Sequence, residues 1–281
     1  MKKKVISIIA GAAGLVAAYF LVSGISHIIY NRPADSTPTE SESSVDQQGT
    51  EEARAAMTED EINEMLAGMK QGSETTEATE EETEVIPVKF DELQAVNPDV
   101  YAWITVPGTD IDYPILQHAS DNSYYLMHNI DGSYGYPGCI YTENMNSKDF
   151  TDNNTVIYGH NMKNGSMFAQ LHKFEDPDFF HENKEVLIYL PDEVLHYTIF
   201  AAHIYDDRHL LYSFDFSDPD AYEKYLESVF NVRDMNANID KDVTVTKDDQ
   251  IITLVTCIGS QPNNRLLVQA VLTEREPGTA E

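Results

Sequence analysis

The sequence predicts a mainly β domain closed, or nearly closed, into an eight-stranded barrel. Two observations carry this reading. Eight short apolar runs recur at 101–106, 111–117, 138–142, 155–158, 185–190, 194–205, 251–257 and 266–273. Gly, Pro, Asn and Asp, the residues that turn a chain, punctuate them. Many short strands with few long helices between them suit a barrel, which leaves no open sheet edge. Two helical patterns interrupt the runs. Residues 166–174 are short and amphipathic. Residues 219–233 are longer, with Asp218 placed to cap the first turn and Tyr222, Tyr225, Leu226, Val229 and Phe230 on one stripe. This longer helix precedes the strand that ends on Cys257.

The chain ahead of the barrel divides by composition. Residues 5–30 contain no Asp, Glu, Lys or Arg. A bilayer span takes about 20 apolar residues, so a transmembrane helix is expected over 5–30. Lys2, Lys3 and Lys4 precede it, and that bias puts residues 1–4 in the cytoplasm and the rest outside. A cleaved signal peptide is the competing reading, but its apolar region is usually about 7–15 residues. Residues 31–84 are rich in Ser, Thr, Glu and Gln and read as an acidic disordered linker. A flexible coil of this length reaches roughly 40 Å. One island, 58–69, opens on a capping-box pattern, Thr58 to Glu61, with Ile62, Met65, Leu66 and Met69 at helical spacing. The expectation is a transient helix within the linker; docking on the barrel is the alternative. The folded domain is expected over 85–281.

Charge narrows the function. The chain has 281 residues and a formal net charge of −30, which argues against nucleic acid as a partner. Residues 35–84 carry sixteen Asp and Glu against Arg54 and Lys70, and the folded part is acidic too. There is no Cys-x-x-Cys, no His-Glu-x-x-His and no Gly-rich phosphate loop, so neither metal nor cofactor is expected. Acidic pairs such as Asp206-Asp207 match no recognised calcium loop.

The chemistry concentrates at three strand ends. The run at 251–257 ends on Cys257, and Arg265 follows after a polar loop at the start of the last run. Neighbouring antiparallel strands would hold thiol and guanidinium side by side, which suits a thiolate nucleophile beside an oxyanion-stabilising cation. The thiol needs a partner acid or base. Of the histidines, His160 alone ends a β run directly after a glycine, in Tyr158-Gly159-His160-Asn161-Met162. Thr256 is a candidate to orient a peptide carbonyl through its hydroxyl. Cys139 sits in an apolar run expected to be a buried strand, where a cysteine behaves as a small hydrophobe, and no disulfide with Cys257 is expected. Aromatic residues between Asn97 and Gly138 are candidates to line a groove, although most aromatics serve as core.

These residues together resemble the sortases. The resemblance rests on Thr253-Leu254-Val255-Thr256-Cys257, the later Arg265 and Tyr158-Gly159-His160-Asn161-Met162, and it spans roughly residues 90–272. Residues 154–168 are most similar to class B. The resemblance implies a cysteine transpeptidase: Cys257 the nucleophile, His160 the acid/base, Arg265 the oxyanion stabiliser. It implies cleavage of a C-terminal sorting signal after Thr through a Cys thioester, and transfer to a peptidoglycan-precursor amine. Its implied partners are sorting-signal-bearing secreted proteins, at the outer face of a Gram-positive membrane. Three alternatives stay open: hydrolysis of the same signals as a cysteine protease, pilin polymerisation, and a non-enzymatic surface protein. A pilin-polymerising sortase usually carries an Asp-Pro-aromatic lid and a C-terminal span, and neither pattern is seen here. The Ser-x-Gly-Cys context of L,D-transpeptidases is missing around Cys257.

Overall fold

A computed structural model describes residues 57–70 and 84–280. The expected membrane span at 5–30 and most of the acidic linker lie outside the described residues. Among the described residues no helix is long and apolar enough to cross a membrane.

The eight predicted runs all form strands. They are β2 (Val100–Val106), β3 (Ile111–Leu116), β4 (Ile140–Thr142), β5 (Asn154–Tyr158), β6 (Glu185–Tyr189), β7 (Glu193–Asp206), β9 (Ile251–Ile258) and β10 (Gln261–Ala280). Hydrogen-bonded order runs β10-β9-β5-β4-β3-β2-β6-β7, and a β7–β10 seam closes the ring. Two short strands were not expected: β1 (Glu84–Ile86), parallel to the end of β10, and β8 (Asn238–Ile239), antiparallel to β7.

The largest departure from the sequence pattern is β10. Its apolar run ends near Leu272, yet the strand continues to Ala280. Partners on both sides explain this. β7 pairs with it from Asn264 to Pro277, and β1 takes its last three residues. Ladder hydrogen bonds satisfy the backbone there whatever the polarity of the side chains.

Alternation along the strands sends Ile104, Ile115, Ile157, Ile188, Ile199, Leu254 and Val268 into a sealed interior. The longer helix forms over Pro219–Phe230, with proline in its first turn and the Asp218 side chain accepting from Asp220 N at 3.0 Å. Its stripe of Tyr222, Tyr225, Leu226 and Val229 is buried on the outside of the barrel with Val156, Phe200 and Leu267. The expected amphipathic stretch at 166–174 is a 3-10 helix, Phe168–Glu175, burying Phe168, Leu171 and Phe174.

The island at 58–69 forms helix α1 (Glu59–Met69), with both capping-box bonds made between Thr58 and Glu61. It is docked rather than transient within a linker. Ile62 and Leu66 are buried in a cluster with Leu93, Val100, Trp103 and Leu116. The C-terminal end is fastened as well: Lys89 N donates to Met69 O at 3.1 Å, Lys70 Nζ donates to Thr105 Oγ1 at 3.1 Å, and the same ammonium pairs with Asp112. An apolar face at helical spacing cannot show by itself what it will cover, which is why sequence favoured the looser reading.

Leu66→Ala is therefore expected to lower the unfolding free energy of the full chain by about 2–3 kcal/mol, measured by urea denaturation. A change below about 0.5 kcal/mol, the usual size for surface sites, would mean that α1 does not dock in solution.

Candidate active site

β9 lies between β5 and β10, and this arrangement assembles the site. Cys257 is directly opposite Arg265 in the antiparallel β9–β10 ladder. Opposed residues share a sheet face, with Cβ atoms about 4.5–5.5 Å apart. Cys257 is exposed, whereas its neighbours Thr256 and Ile258 are buried. On its other side β9 runs parallel to β5, with Tyr158 paired to Val255. Two residues further along each strand stand His160 and Cys257.

Three bonds continue this pairing past the end of β5. Gly159 N donates to Val255 O at 3.1 Å, Thr256 Oγ1 donates to Gly159 O at 2.9 Å, and Asn161 Nδ2 donates to Cys257 O at 2.8 Å. Gly159 itself has no room for a side chain. A Cβ there would meet Ile140 Cδ1 at 2.5 Å and Phe168 Cδ2 at 2.6 Å.

The His160 ring is half-buried. Its Nε2 lies 2.7 Å from the carbonyl oxygen of Leu126. A carbonyl can only accept, so Nε2 carries a hydrogen and Nδ1 is the nitrogen left to gain or lose a proton. The Tyr136 ring meets the imidazole edge-on at 5.2 Å. Burial holds the proton affinity of His160 below its ordinary value of 6.5, and the Leu126 bond opposes this shift.

Arg265 Nη1 donates to Asn264 O at 2.8 Å and Pro262 O at 2.9 Å. These two backbone carbonyls hold the guanidinium in place. Thr256 departs from expectation. Its hydroxyl proton is given to Gly159 O and the residue is 1% exposed, so the hydroxyl braces the His160 turn instead of facing a peptide.

A family profile described as the sortase domain matches residues 104–273. The chain belongs to the sortase family. Its relatives are of class B. The chain is 35% identical over 188 residues to sortase B of Listeria monocytogenes, covering 66% of this chain and 74% of that protein. The X-ray structure of Clostridium perfringens sortase B superposes with a TM-score of 0.60 at 33% identity, covering 66% of this chain and all of the other. A Staphylococcus aureus sortase B–substrate complex is similar at a TM-score of 0.58 and 26% identity, covering 66% of this chain and 84% of that one. The protein is thus a class B-like sortase, a cysteine transpeptidase on a closed β-barrel, as its motifs imply.

Sequence reasoning missed the support beneath the sortase thiol. His172 Nδ1 lies 2.7 Å from Glu175 Oε2, and its Nε2 lies 3.1 Å from the Cys257 carbonyl oxygen and 3.0 Å from Asn161 Nδ2. Glu175, His172 and Asn161 thereby brace the Cys257 carbonyl from the 3-10 helix. The adjacency of Asn161 to His160 was the one available signal. Two further histidines among the described residues are engaged elsewhere. His209 Nε2 donates to the buried Glu143 at 2.7 Å, and His203 is buried. Cys139 is buried, its thiol pushed up by that burial, and neither cysteine is in a disulfide. The Asp206 carboxylate is held by Arg208 Nε at 2.8 Å. Among the described residues one group has metal-ligand chemistry: Glu84, His196 and Glu276 on β1, β7 and β10. His196 Nε2 already donates to Glu84 there at 2.8 Å. Glu276 is eleven positions along β10 from Arg265, roughly 36 Å of strand, so this group is remote from Cys257.

Because the fold lowers the His160 pKa, the folded state favours the neutral ring. Stability from that preference is complete above the unfolded value, about 6.5, and is lost as pH falls from there to the folded-state midpoint. An NMR titration of 13C-labelled histidine should place the His160 midpoint below 6.5, and His160→Gln should flatten the acid limb of stability against pH. A midpoint at or above 6.5 would contradict the burial seen here.

Proposed function

We propose that Cys257, His160 and Arg265 carry the transpeptidation, and that the enzyme joins sorting-signal-bearing secreted proteins to an amine of a peptidoglycan precursor. The observation that supports this most directly is the register of β9, which puts Cys257 opposite Arg265 and in step with His160. The Cys257 thiolate attacks the carbonyl carbon after Thr in the signal. Arg265 stabilises the oxyanion. As the C–N bond breaks, His160 Nδ1–H protonates the leaving amine, and a thioester remains. The acceptor amine then attacks the thioester carbonyl, gives its proton to Nδ1 and expels the Cys257 sulfur. One imidazole serves both halves in its two protonation states. Burial makes the imidazolium the minor form at neutral pH and a correspondingly stronger acid when present.

The apolar stretch at 5–30 and the lysines before it support a single-pass anchor with the catalytic domain outside a Gram-positive cell. Such an anchor suits a lipid-linked acceptor. Full-length protein is expected to stay in the membrane fraction after carbonate extraction, and release into the supernatant would argue for a cleaved leader.

The decisive assay incubates the full chain in detergent with a panel of sorting-signal peptides and triglycine, with products read by mass spectrometry. Cleavage after Thr with the amine attached, abolished in Cys257→Ala, is the expected result. Arg265→Ala should lower kcat by about 10²–10³-fold, and Arg265→Lys should not restore it, because a point charge lacks the planar fork. Water as sole acceptor despite added amine would shift the reading to a protease.

A further inference from the structure

We infer that the first turn of α1 is a positioning device for His160, with Glu59 and Asp131 clamping the two loops that hold the imidazole. This deepens the proposed acid/base role of His160 and rests on it.

Two loops make the surroundings of this ring. Residues 160–168 carry it, closed by Phe168 N donating to His160 O at 2.9 Å. Residues 126–138 supply its two ring contacts, the Leu126 carbonyl and the Tyr136 face. Each loop is tied to the start of α1. Glu59 Oε1 accepts from Asn164 Nδ2 at 3.0 Å in the first loop, and the Ser166 hydroxyl lies 3.0 Å from the same oxygen. Met57 N donates to Asp131 Oδ2 at 2.9 Å in the second. Asp131 passes this tie inward, because its Oδ1 accepts from Ser133 N at 2.9 Å and Asn129 N in turn donates to Ser133 O at 2.9 Å.

The first loop needs outside support. Met167 has φ of +57°, in a region that residues with a Cβ rarely adopt. Such conformations persist only where the surroundings over-determine them. Tyr113 on β3 accepts from Met167 N at 3.0 Å, and Glu59 holds Asn164 and Ser166 from above. The clamp therefore acts on the strained half of the loop whose other end is His160. Lys70 and the buried Ile62 and Leu66 fix the helix against the barrel, so Glu59 is a rigid post. The titratable groups beside the imidazole are the Tyr136 phenol and, on the adjoining strand, the Cys257 thiol. Glu59 acts through the loops and does not touch the ring.

The test uses the full chain in detergent, the best-turned-over peptide of the panel with triglycine, and the NMR titration of His160. Glu59→Ala is expected to lower kcat about tenfold with KM unchanged, and to raise the His160 midpoint toward 6.5 as the ring loosens into water. Glu59→Gln keeps the accepting oxygen and should retain wild-type kcat and midpoint. Ser166→Ala removes one of the two ties from the loop side and leaves the helix intact, so it should shift kcat and midpoint in the same direction by a smaller amount should Glu59→Ala disturb the helix. Unchanged kcat and midpoint in both Glu59→Ala and Ser166→Ala, with His160→Gln inactive, would overturn the clamp alone. Wild-type turnover by His160→Gln would overturn the acid/base reading, and the clamp with it.

Discussion

The register of β9 between β5 and β10 is the constraint on which the rest of the molecule depends. Side chains alternate along a strand, so a one-residue slip would turn the Cys257 thiol inward and present Thr256 to solvent. It would also part Cys257 from Arg265 on one side and from the His160 turn on the other. Apolar burial alone is a weak guard against such slips, because Val, Ile and Leu substitute for one another in a core at modest cost.

A buried polar network adds the missing specificity. Thr253 Oγ1 donates to Asn154 Oδ1 at 2.8 Å, Gln269 Nε2 donates to Thr253 Oγ1 at 3.1 Å and to Tyr225 OH at 2.8 Å, and His203 Nε2 meets Gln269 Oε1 at 3.2 Å. These residues come from β5, β9, β10, β7 and the 219–230 helix, and all are buried. Burial lowers the proton affinity of His203 and keeps it neutral. In the observed register these groups bond to one another, with Asn154 Nδ2 the one member atom left without a partner. Shifted by one residue they would strand polar atoms in a dry interior, at roughly 1–3 kcal/mol each. The network lies four residues before Cys257 on β9 and four after Arg265 on β10, so it sets the alignment where the reacting groups need it.

Much of this was legible in the sequence because the chemistry sits where local pattern is strongest. The apolar runs named the barrel strands, and Gly159 and the polar loop after Cys257 marked the ends that carry His160 and Arg265. What stayed hidden depends on partners distant in the chain. The polar tail of β10 becomes a strand only because β7 and β1 flank it. Asn161, His172 and Glu175 look like ordinary surface residues until β9 lies across them. Helix α1 was visible as a helix, since capping and periodicity are local, but its docking depends on Trp103 and Leu116 more than thirty residues away. The brace made by Thr256 was hidden for the same reason: the acceptor for its hydroxyl, Gly159 O, lies just past the end of β5.

On the proposed mechanism, the division of exposure within the site follows from its two half-reactions. The thiol must meet a long peptide and later a second substrate, so Cys257 stands exposed at a strand end. The imidazole must deliver a proton to a leaving amine and then take one from an incoming amine, and bulk water would compete for both transfers. Half-burying His160 against Leu126 and Tyr136 shields Nε2 and leaves Nδ1 as the proton-transfer position. The shielding has a cost, since burial also disfavours the imidazolium. The Leu126 carbonyl offsets part of it by accepting from Nε2–H, a bond that strengthens when the ring is charged. The guanidinium answers the opposite need. The Pro262 and Asn264 carbonyls fix the Arg265 guanidinium in place opposite Cys257, beside the position of the proposed oxyanion.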